Sequence, residues 1–172
     1  MSTLEGALVE PAAVGMHAAI LGGAMLGKSI VILGGGTIGL MVLQACKSLG
    51  ATDITVVDVL NKRLELAKKL GASRVINGKE EDTVALLRSE ELYGDHGVDL
   101  VFEAAGSVFT AQQAVQIVAR GGKIMMVGTQ SKPVPIDFLK INREVTIQTS
   151  FRYCNNFPQT IEAIASGKFN VK

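Results

Sequence analysis

Residues 29–39 read SIVILGGGTIG, and the interpretation of this stretch decides the rest of the chain. Ser29–Leu33 is a short apolar run rich in β-branched residues, the pattern of a buried parallel strand. Gly34, Gly36 and Gly39 follow with the spacing G-x-G-x-x-G, and a helix-period pattern begins at once. Each glycine has a physical task in a dinucleotide site. Gly34 permits the tight turn, Gly36 lets backbone approach a pyrophosphate, and Gly39 lets the new helix pack close to the strand. The helix N-terminus adds unpaired N–H groups and a positive dipole end, both suited to phosphate. A glycine-rich turn can be only a turn, so context has to carry the reading. A second apolar run, residues 54–57, closes on Asp58 about 20 residues after the glycines, where a dinucleotide fold places its ribose-binding acid.

Downstream, the period alternates. Ile38, Met41, Val42, Ala45, Cys46 and Leu49 share one face of a helix that Gly50 ends. Asn61 is placed to cap a helix whose apolar face is Leu64, Ala67 and Leu70. A third strand is predicted over 74–77, a helix over 82–93, a fourth strand over 98–103 and a small-residue turn over 104–107. Val108, Ala111, Val115 and Val118 mark another helix, and 123–127 a fifth strand. Residues 131–137 hold two prolines and read as a loop or edge segment, 145–150 as the sixth strand, and Phe157, Ile161, Ile164 and Ala165 as a final helix. Strands separated by helices in this rhythm form βαβ units. The expectation is an α/β fold: a doubly wound, six-stranded parallel sheet in the order 3-2-1-4-5-6 with helices on both faces. The crevice would lie between the ends of strands one and four, with residues 34–39 on one side and 103–107 on the other.

Residues 1–28 precede this unit. Glu10-Pro11 resembles a helix start, 12–21 is small and apolar, and Gly22-Gly23 ends it; His17 falls in that run and reads as a core histidine rather than a ligand.

Composition excludes several classes. A chain of 172 residues that is 48% hydrophobic can bury one real core, which argues against disorder. A net charge of +1 gives no electrostatic case for nucleic acid, and no basic run suggests an anionic membrane. Nineteen glycines suit many tight turns, whereas 5% aromatics without tryptophan do not suit a base-stacking platform. Cys46 and Cys154 make no disulfide framework; Cys46 lies on an apolar helix stripe as a core thiol, so a reducing, cytoplasmic setting is expected. Glu5 and Glu10 without a basic start speak against a signal peptide. Residues 29–46 are uncharged and long enough to tempt a membrane span, but three consecutive glycines, Thr37, Gln44 and the change of period argue against one.

Asp58 is the leading functional residue. A carboxylate ending strand two can accept from both hydroxyls of an adenosine ribose and would repel a 2′-phosphate, which favours NAD over NADP. Lys62 and Arg63 lie just beyond, as solvated helix charges or as a lid over the adenosine, and they leave room for NADP. No zinc set is visible: there is no C-x-x-C or H-E-x-x-H, and His17 and His96 lie far apart. No nucleophile triad can be argued from spacing. The sequence shows a cofactor half without a reaction half.

At these residues the chain resembles the medium-chain dehydrogenase/reductase superfamily, in particular its zinc-dependent sorbitol (polyol) dehydrogenases and related threonine dehydrogenases. The matching stretches are VEPAAVGMHA at 9–18, ILGGGTIGL at 32–40, VVD at 56–58, FEAAG at 102–106 and SFRYCNNFP at 150–158, the first and last being the most specific. The resemblance implies a Rossmann fold in which Gly34, Gly36, Thr37, Ile38, Gly39 and Asp58 hold NAD and Arg63 contacts the adenosine ribose. It implies that the turns around Gly106, Gly128 and Phe151 line the nicotinamide. Glu10 matches an acid that reaches the catalytic zinc or its water, and Arg152 and Tyr153 match a polar pair near the substrate. In such enzymes a separate catalytic domain supplies the zinc ligands and the proton relay. The expectation is therefore a cofactor-binding domain over 29–172, with 1–28 as the linker from a catalytic domain that this chain lacks. The implied partners are that domain, a small alcohol or polyol substrate, and a second copy paired through strand 145–150. Zinc would belong to the full-length enzyme, with Glu10 its single contribution from this chain. A stand-alone NAD-binding sensor or interaction module, a threonine dehydrogenase-like domain and a zinc-free quinone-reductase-like member are the alternatives; SFRYCNNFP and Glu10 speak against the last.

Overall fold

The computed structural model describes residues 2–141 and 143–171; Met1, Asn142 and the expected end of the domain at Lys172 lie outside the described residues. Two helices, α1 (Thr3–Ala7) and α2 (Val9–Gly22), lead into β1 (Ser29–Leu33), α3 (Thr37–Ser48), β2 (Asp53–Asp58), α4 (Asn61–Lys69) and β3 (Arg74–Asn77). The second half runs α5 (Thr83–Leu87), β4 (Val98–Glu103), α6 (Val108–Ile117), β5 (Val118–Met126), α7 (Phe138–Ile141), β6 (Thr146–Thr149) and α8 (Phe157–Ala165). The six strands form one sheet in the order β3-β2-β1-β4-β5-β6, every neighbouring pair parallel. This is the doubly wound Rossmann arrangement expected from the alternation of periods.

Strand pleating builds two cores. Along β1, Ile30 and Ile32 face one layer while Val31 and Leu33 face the other. The first layer takes α2, α3 and α8 through Ala12, Met16, Val42, Cys46 and Ile164; the second takes α5 and α6 through Leu87, Ala114 and Ile117. A strand covered on both faces must be apolar on both, which is why β1 reads as a continuous run rather than an alternation. Cys46 is fully buried, and desolvation holds its thiol far above the usual range, so it behaves as packing.

Several local expectations are corrected. The helix start expected at Glu10-Pro11 is found, both lying in the first turn of α2, but His17 is half-buried rather than in the core. Asn61 does not cap α4; its Oδ1 accepts from Asn77 Nδ2 at 2.7 Å, while the Asp58 carboxylate holds the preceding Leu60 amide at 2.9 Å. The helix expected over 82–93 stops at Leu87. Asp82 caps it by accepting from the Val84 and Ala85 amides, but Arg88 then donates to the carbonyls of Gln116, Gly94, Asp95 and Val118 and folds the segment into turns. β5 starts at Val118, five residues early, because Val118 pairs with Val98 before the register shifts at the glycines 121 and 122. α7 was not legible at all, its four residues being too few to show a period.

Among the described residues β6 pairs with β5 alone and ends the sheet. Three of its four residues are exposed, including Ile147. No helix of the described residues is long and apolar enough to cross a membrane, and residues 29–46 divide into β1 and α3.

Candidate cofactor site

The carboxyl ends of β1, β2 and β4 open onto a cavity of about 330 Å³ lined by Gly34, Gly36, Val57, Asp58, Val59, Arg63, Gly78, Ala104, Ala105, Ser107, Phe109, Thr110 and Gln113. It sits where the strand order reverses, between β1 and β4, the place at which open parallel sheets bind ligands.

The glycines build its floor. Gly34 has φ +108°, and a Cβ there would come 2.8 Å from the Ala105 amide nitrogen, so the β1–α3 turn also rests against the β4–α6 turn. A Cβ on Gly39 would overlap the Gly34 carbonyl oxygen, which fixes how closely α3 approaches its strand. A Cβ on Gly36 would meet nothing within 4 Å: its backbone faces open space. Gly36 is also the N-cap of α3, without a side-chain cap and with no acid in the first turn. The first backbone bond of this turn runs from the Leu40 amide to the Gly36 carbonyl at 2.9 Å, so the amides of Thr37, Ile38 and Gly39 stand ahead of the helical ladder. Unpaired donors at a positive dipole end make an anion site.

Asp58 ends β2 with its side chain 5% exposed. Its Oδ2 accepts from the Gly35 amide at 2.7 Å and from Arg63 Nη1 at 3.3 Å, and its Oδ1 accepts from the Leu60 amide at 2.9 Å. An ionised carboxylate offers about four acceptor positions, so three bonds leave one open. The bond to Gly35 ties the acid to the glycine turn, and Arg63 stands over the same carboxylate from the first turn of α4.

Across the crevice, Glu103 ends β4 and is fully buried. Its Oε1 accepts from the amides of Ala105 at 3.0 Å and Gly106 at 2.9 Å and from Thr110 Oγ1 at 2.7 Å, and its Oε2 accepts from Gln130 Nε2 at 2.7 Å. Its backbone carbonyl accepts from the amides of Val127 and Gly128, both at 2.8 Å. Gly106 and Gly128 meet directly, since a Cβ on Gly128 would lie 2.7 Å from Gly106 Cα. The sequence marked Glu103 only as an edge of the crevice and did not single out Gln130, Thr110 or Phe109. One signal was present: Glu103 closes an apolar run before a small-residue turn, as Asp58 does.

The remaining predicted residues lie elsewhere. Thr37 lines a different cavity, beside Leu40, Gln44 and Leu70. Phe151 is 80% exposed in the β6–α8 loop, with the Arg152 guanidinium 5.4 Å over its ring. Arg152 and Asn155 both hold left-handed backbone, at φ 53° and 51°, and Tyr153 packs on Phe157 at 4.7 Å. Glu10 is exposed on α2, three residues before Ala13, whose carbonyl accepts from Asn156 Nδ2 at 2.8 Å. That bond links the face carrying Glu10 to the end of the loop carrying Arg152 and Tyr153. None of the three lines the glycine cavity.

The zinc donors do not assemble. Cys46 is locked in the core, Cys154 is exposed, and His96 lies 3.7 Å from Asp99 at the opposite end of the sheet. Among the described residues no group of three or more His, Cys, Asp or Glu could hold a metal ion. The described residues by themselves assemble no zinc site, whereas the groups lining the crevice suit a dinucleotide.

Comparison with known proteins agrees with the geometry. The model of a zinc-binding dehydrogenase family matches residues 37–166. The zinc-type alcohol dehydrogenase-like protein YdjJ of Escherichia coli is 64% identical over the whole chain, which covers 49% of that protein. Sorbitol dehydrogenase of Bacillus subtilis is 42% identical, again over 100% of this chain and 49% of its own length. A solved zinc-binding dehydrogenase structure from Sinorhizobium meliloti, bound to NADP, superposes with a TM-score of 0.91 at 28% identity, covering 96% of this chain and 49% of that one. The chain thus spans about half the length of the curated relatives it matches.

Proposed function

The chain belongs to the zinc-binding dehydrogenase family, and on that premise we propose that it is the NAD(H)-binding domain of a zinc-dependent alcohol or polyol dehydrogenase similar to sorbitol dehydrogenase. The whole enzyme would pass hydride between a secondary alcohol and NAD. The observation that carries the reading is the Asp58 carboxylate, bonded to the Gly35 amide at 2.7 Å in the wall of the crevice cavity. An acid there suits ribose hydroxyls and opposes a 2′-phosphate, so NAD is the proposed cofactor even though one relative carries NADP. Gly34, Gly36, Thr37, Ile38 and Gly39 would seat the pyrophosphate, Arg63 the adenosine side, and Gly106, Gly128 and Phe151 the nicotinamide side. Bound there, the cofactor supplies hydride transfer chemistry; the chain supplies binding and orientation.

Glu10, Arg152 and Tyr153 are proposed to act at the substrate end, Glu10 toward the zinc, once a catalytic domain contributes the other ligands. Residues 1–28 would link to that domain and 29–172 form the cofactor unit. The substrate class is a small alcohol or polyol, the compartment the cytoplasm. The exposed edge of β6 would pair two copies: an unpartnered edge with two-fold closure avoids open-ended growth. Light scattering is expected to give twice the chain mass, and Thr149→Pro, which removes a ladder donor, to shift it to monomer.

Calorimetry with NAD and NADP, alongside metal analysis and a sorbitol assay, tests the main reading. The expected result is NAD bound more tightly than NADP, with neither stoichiometric zinc nor turnover on this chain alone. NADP bound as tightly as NAD would refute the cofactor assignment.

A further inference from the structure

Glu103 is a fully buried carboxylate at the end of β4, and among the described residues its carboxylate is held by neutral donors. Four donors hold it, and they come from two separate stretches of chain. The amides of Ala105 and Gly106 belong to the β4–α6 turn, Thr110 to the first turn of α6, and Gln130 to the loop leaving β5. Its own carbonyl takes the Val127 and Gly128 amides, so one residue clamps both exits from the central strands. Bonds to an ionised acceptor are about twice as strong as neutral ones, and inside a protein they are little screened.

We infer that Glu103 is a positioning residue for the nicotinamide half of the cofactor: its carboxylate fixes the Gly106 and Gly128 turns as one wall of the crevice. This rests on the proposed binding of NAD(H). A dinucleotide whose adenosine ribose meets Asp58 at β2 and whose pyrophosphate meets the start of α3 must continue past β1 towards β4 and β5. The wall it reaches there is the one Glu103 holds. The packing leaves that wall little freedom, since a Cβ on Gly106 would lie 2.8 Å from the Thr129 carbonyl oxygen and one on Gly128 would lie 2.8 Å from Glu103 Oε2. The turn geometry therefore follows the carboxylate.

Glu103→Gln separates positioning from folding. The glutamine keeps one oxygen for Ala105, Gly106 and Thr110, but sets an NH₂ against Gln130 Nε2. Gln130 Oε1 is buried without a hydrogen-bond partner, so rotation of that amide offers an acceptor and the fold survives. The charge, and with it the strength of the clamp, is lost.

The probes are NADH and ADP-ribose, which share everything except the nicotinamide, each titrated by calorimetry into the chain. With Glu103→Gln the expected outcome is NADH affinity reduced about fivefold to tenfold, ADP-ribose affinity held within about twofold, and a smaller blue shift of bound NADH fluorescence. Equal losses for both probes, or no loss for NADH, would overturn the inference, since a merely structural residue would weaken both. If Glu103→Gln does not fold, Gln130→Met, which removes the donor to Oε2 from a residue outside the cavity lining, decides by the same two constants. Uptake of neither probe by the unaltered chain would overturn the proposed function and this inference with it. Uptake of both, with parallel losses in the variant, would overturn the inference alone.

Discussion

Asp58 and Glu103 occupy the same place in two βαβ units: each is an acid closing a buried parallel strand at the rim of one crevice. Their surroundings separate them. Asp58 shares its carboxylate between two amides and a half-exposed arginine, and it lines the cavity with an acceptor position open. Glu103 spends its carboxylate on four donors of its own chain and does not line the cavity. One acid faces the cavity and the other faces the protein. The difference arises because the β2–α4 connection gives Asp58 few local donors, whereas the turn after Glu103 folds back over it and a second loop arrives from β5. A rim carboxylate is thus a binding group or a strut according to how many donors its neighbours aim at it.

The largest effect tests whether both rims are equally rigid. Gly39→Ala on the Asp58 side drives a Cβ into the Gly34 carbonyl, and Gly128→Ala on the other side drives one into Gly106. Each is expected to cost about 3 kcal/mol. Thermal unfolding should then show Tm lower by about 6–12 °C. If one substitution were tolerated, the two rims would differ in rigidity and not only in which way their acids face.

Asp58→Ala should show a pattern opposite to that of Glu103→Gln. Because NADH and ADP-ribose share the adenosine ribose, both should bind more weakly, by about tenfold to a hundredfold, and by the same factor. A loss confined to NADH would assign the strut role to the wrong acid. NADP should be affected least, since removing the acid also removes its repulsion of a 2′-phosphate.

The smallest effect extends the comparison to Asp99, at the opposite end of the strand that Glu103 closes. Burial raises its pKa, but the Ser29 amide and hydroxyl, Lys28 and His96 outweigh this and hold it below the usual carboxylate range. A folded pKa below the unfolded one means that the stabilisation is present above about pH 4 and is lost as the pH falls through the folded value. Solvent screening keeps it under about 1 kcal/mol. Urea unfolding at pH 7 should find Asp99→Asn less stable by that amount, with the gap narrowing as the pH falls below the ordinary carboxylate range. A gap that persists in acid would mean that Asp99 acts through its hydrogen bonds to Ser29 and not through its charge.

The sheet was legible because its cause is local. Uncharged β-branched runs such as Ile30–Leu33, glycines at helix ends and acids at strand ends each follow from one residue's own preferences, so strand order, crevice and Asp58 could be placed from the chain alone. The helix over 82–93 misled because nothing local reveals that Arg88 will reach carbonyls as far away as Gln116 and Val118 and stop it. The roles of the glycines were legible only in part. The turn at Gly34 is written in its neighbours, but its closeness to Ala105 exists only once β1 and β4 lie side by side. Glu103 is the clearest case. Sequence sets it at the end of an apolar run, as it does Asp58, and tertiary structure alone decided that Gln130, 27 residues on, would bury its charge. Local preference is fixed by a residue and its neighbours, whereas a carboxylate's partners are fixed by which distant backbone the packed sheet brings within three ångströms.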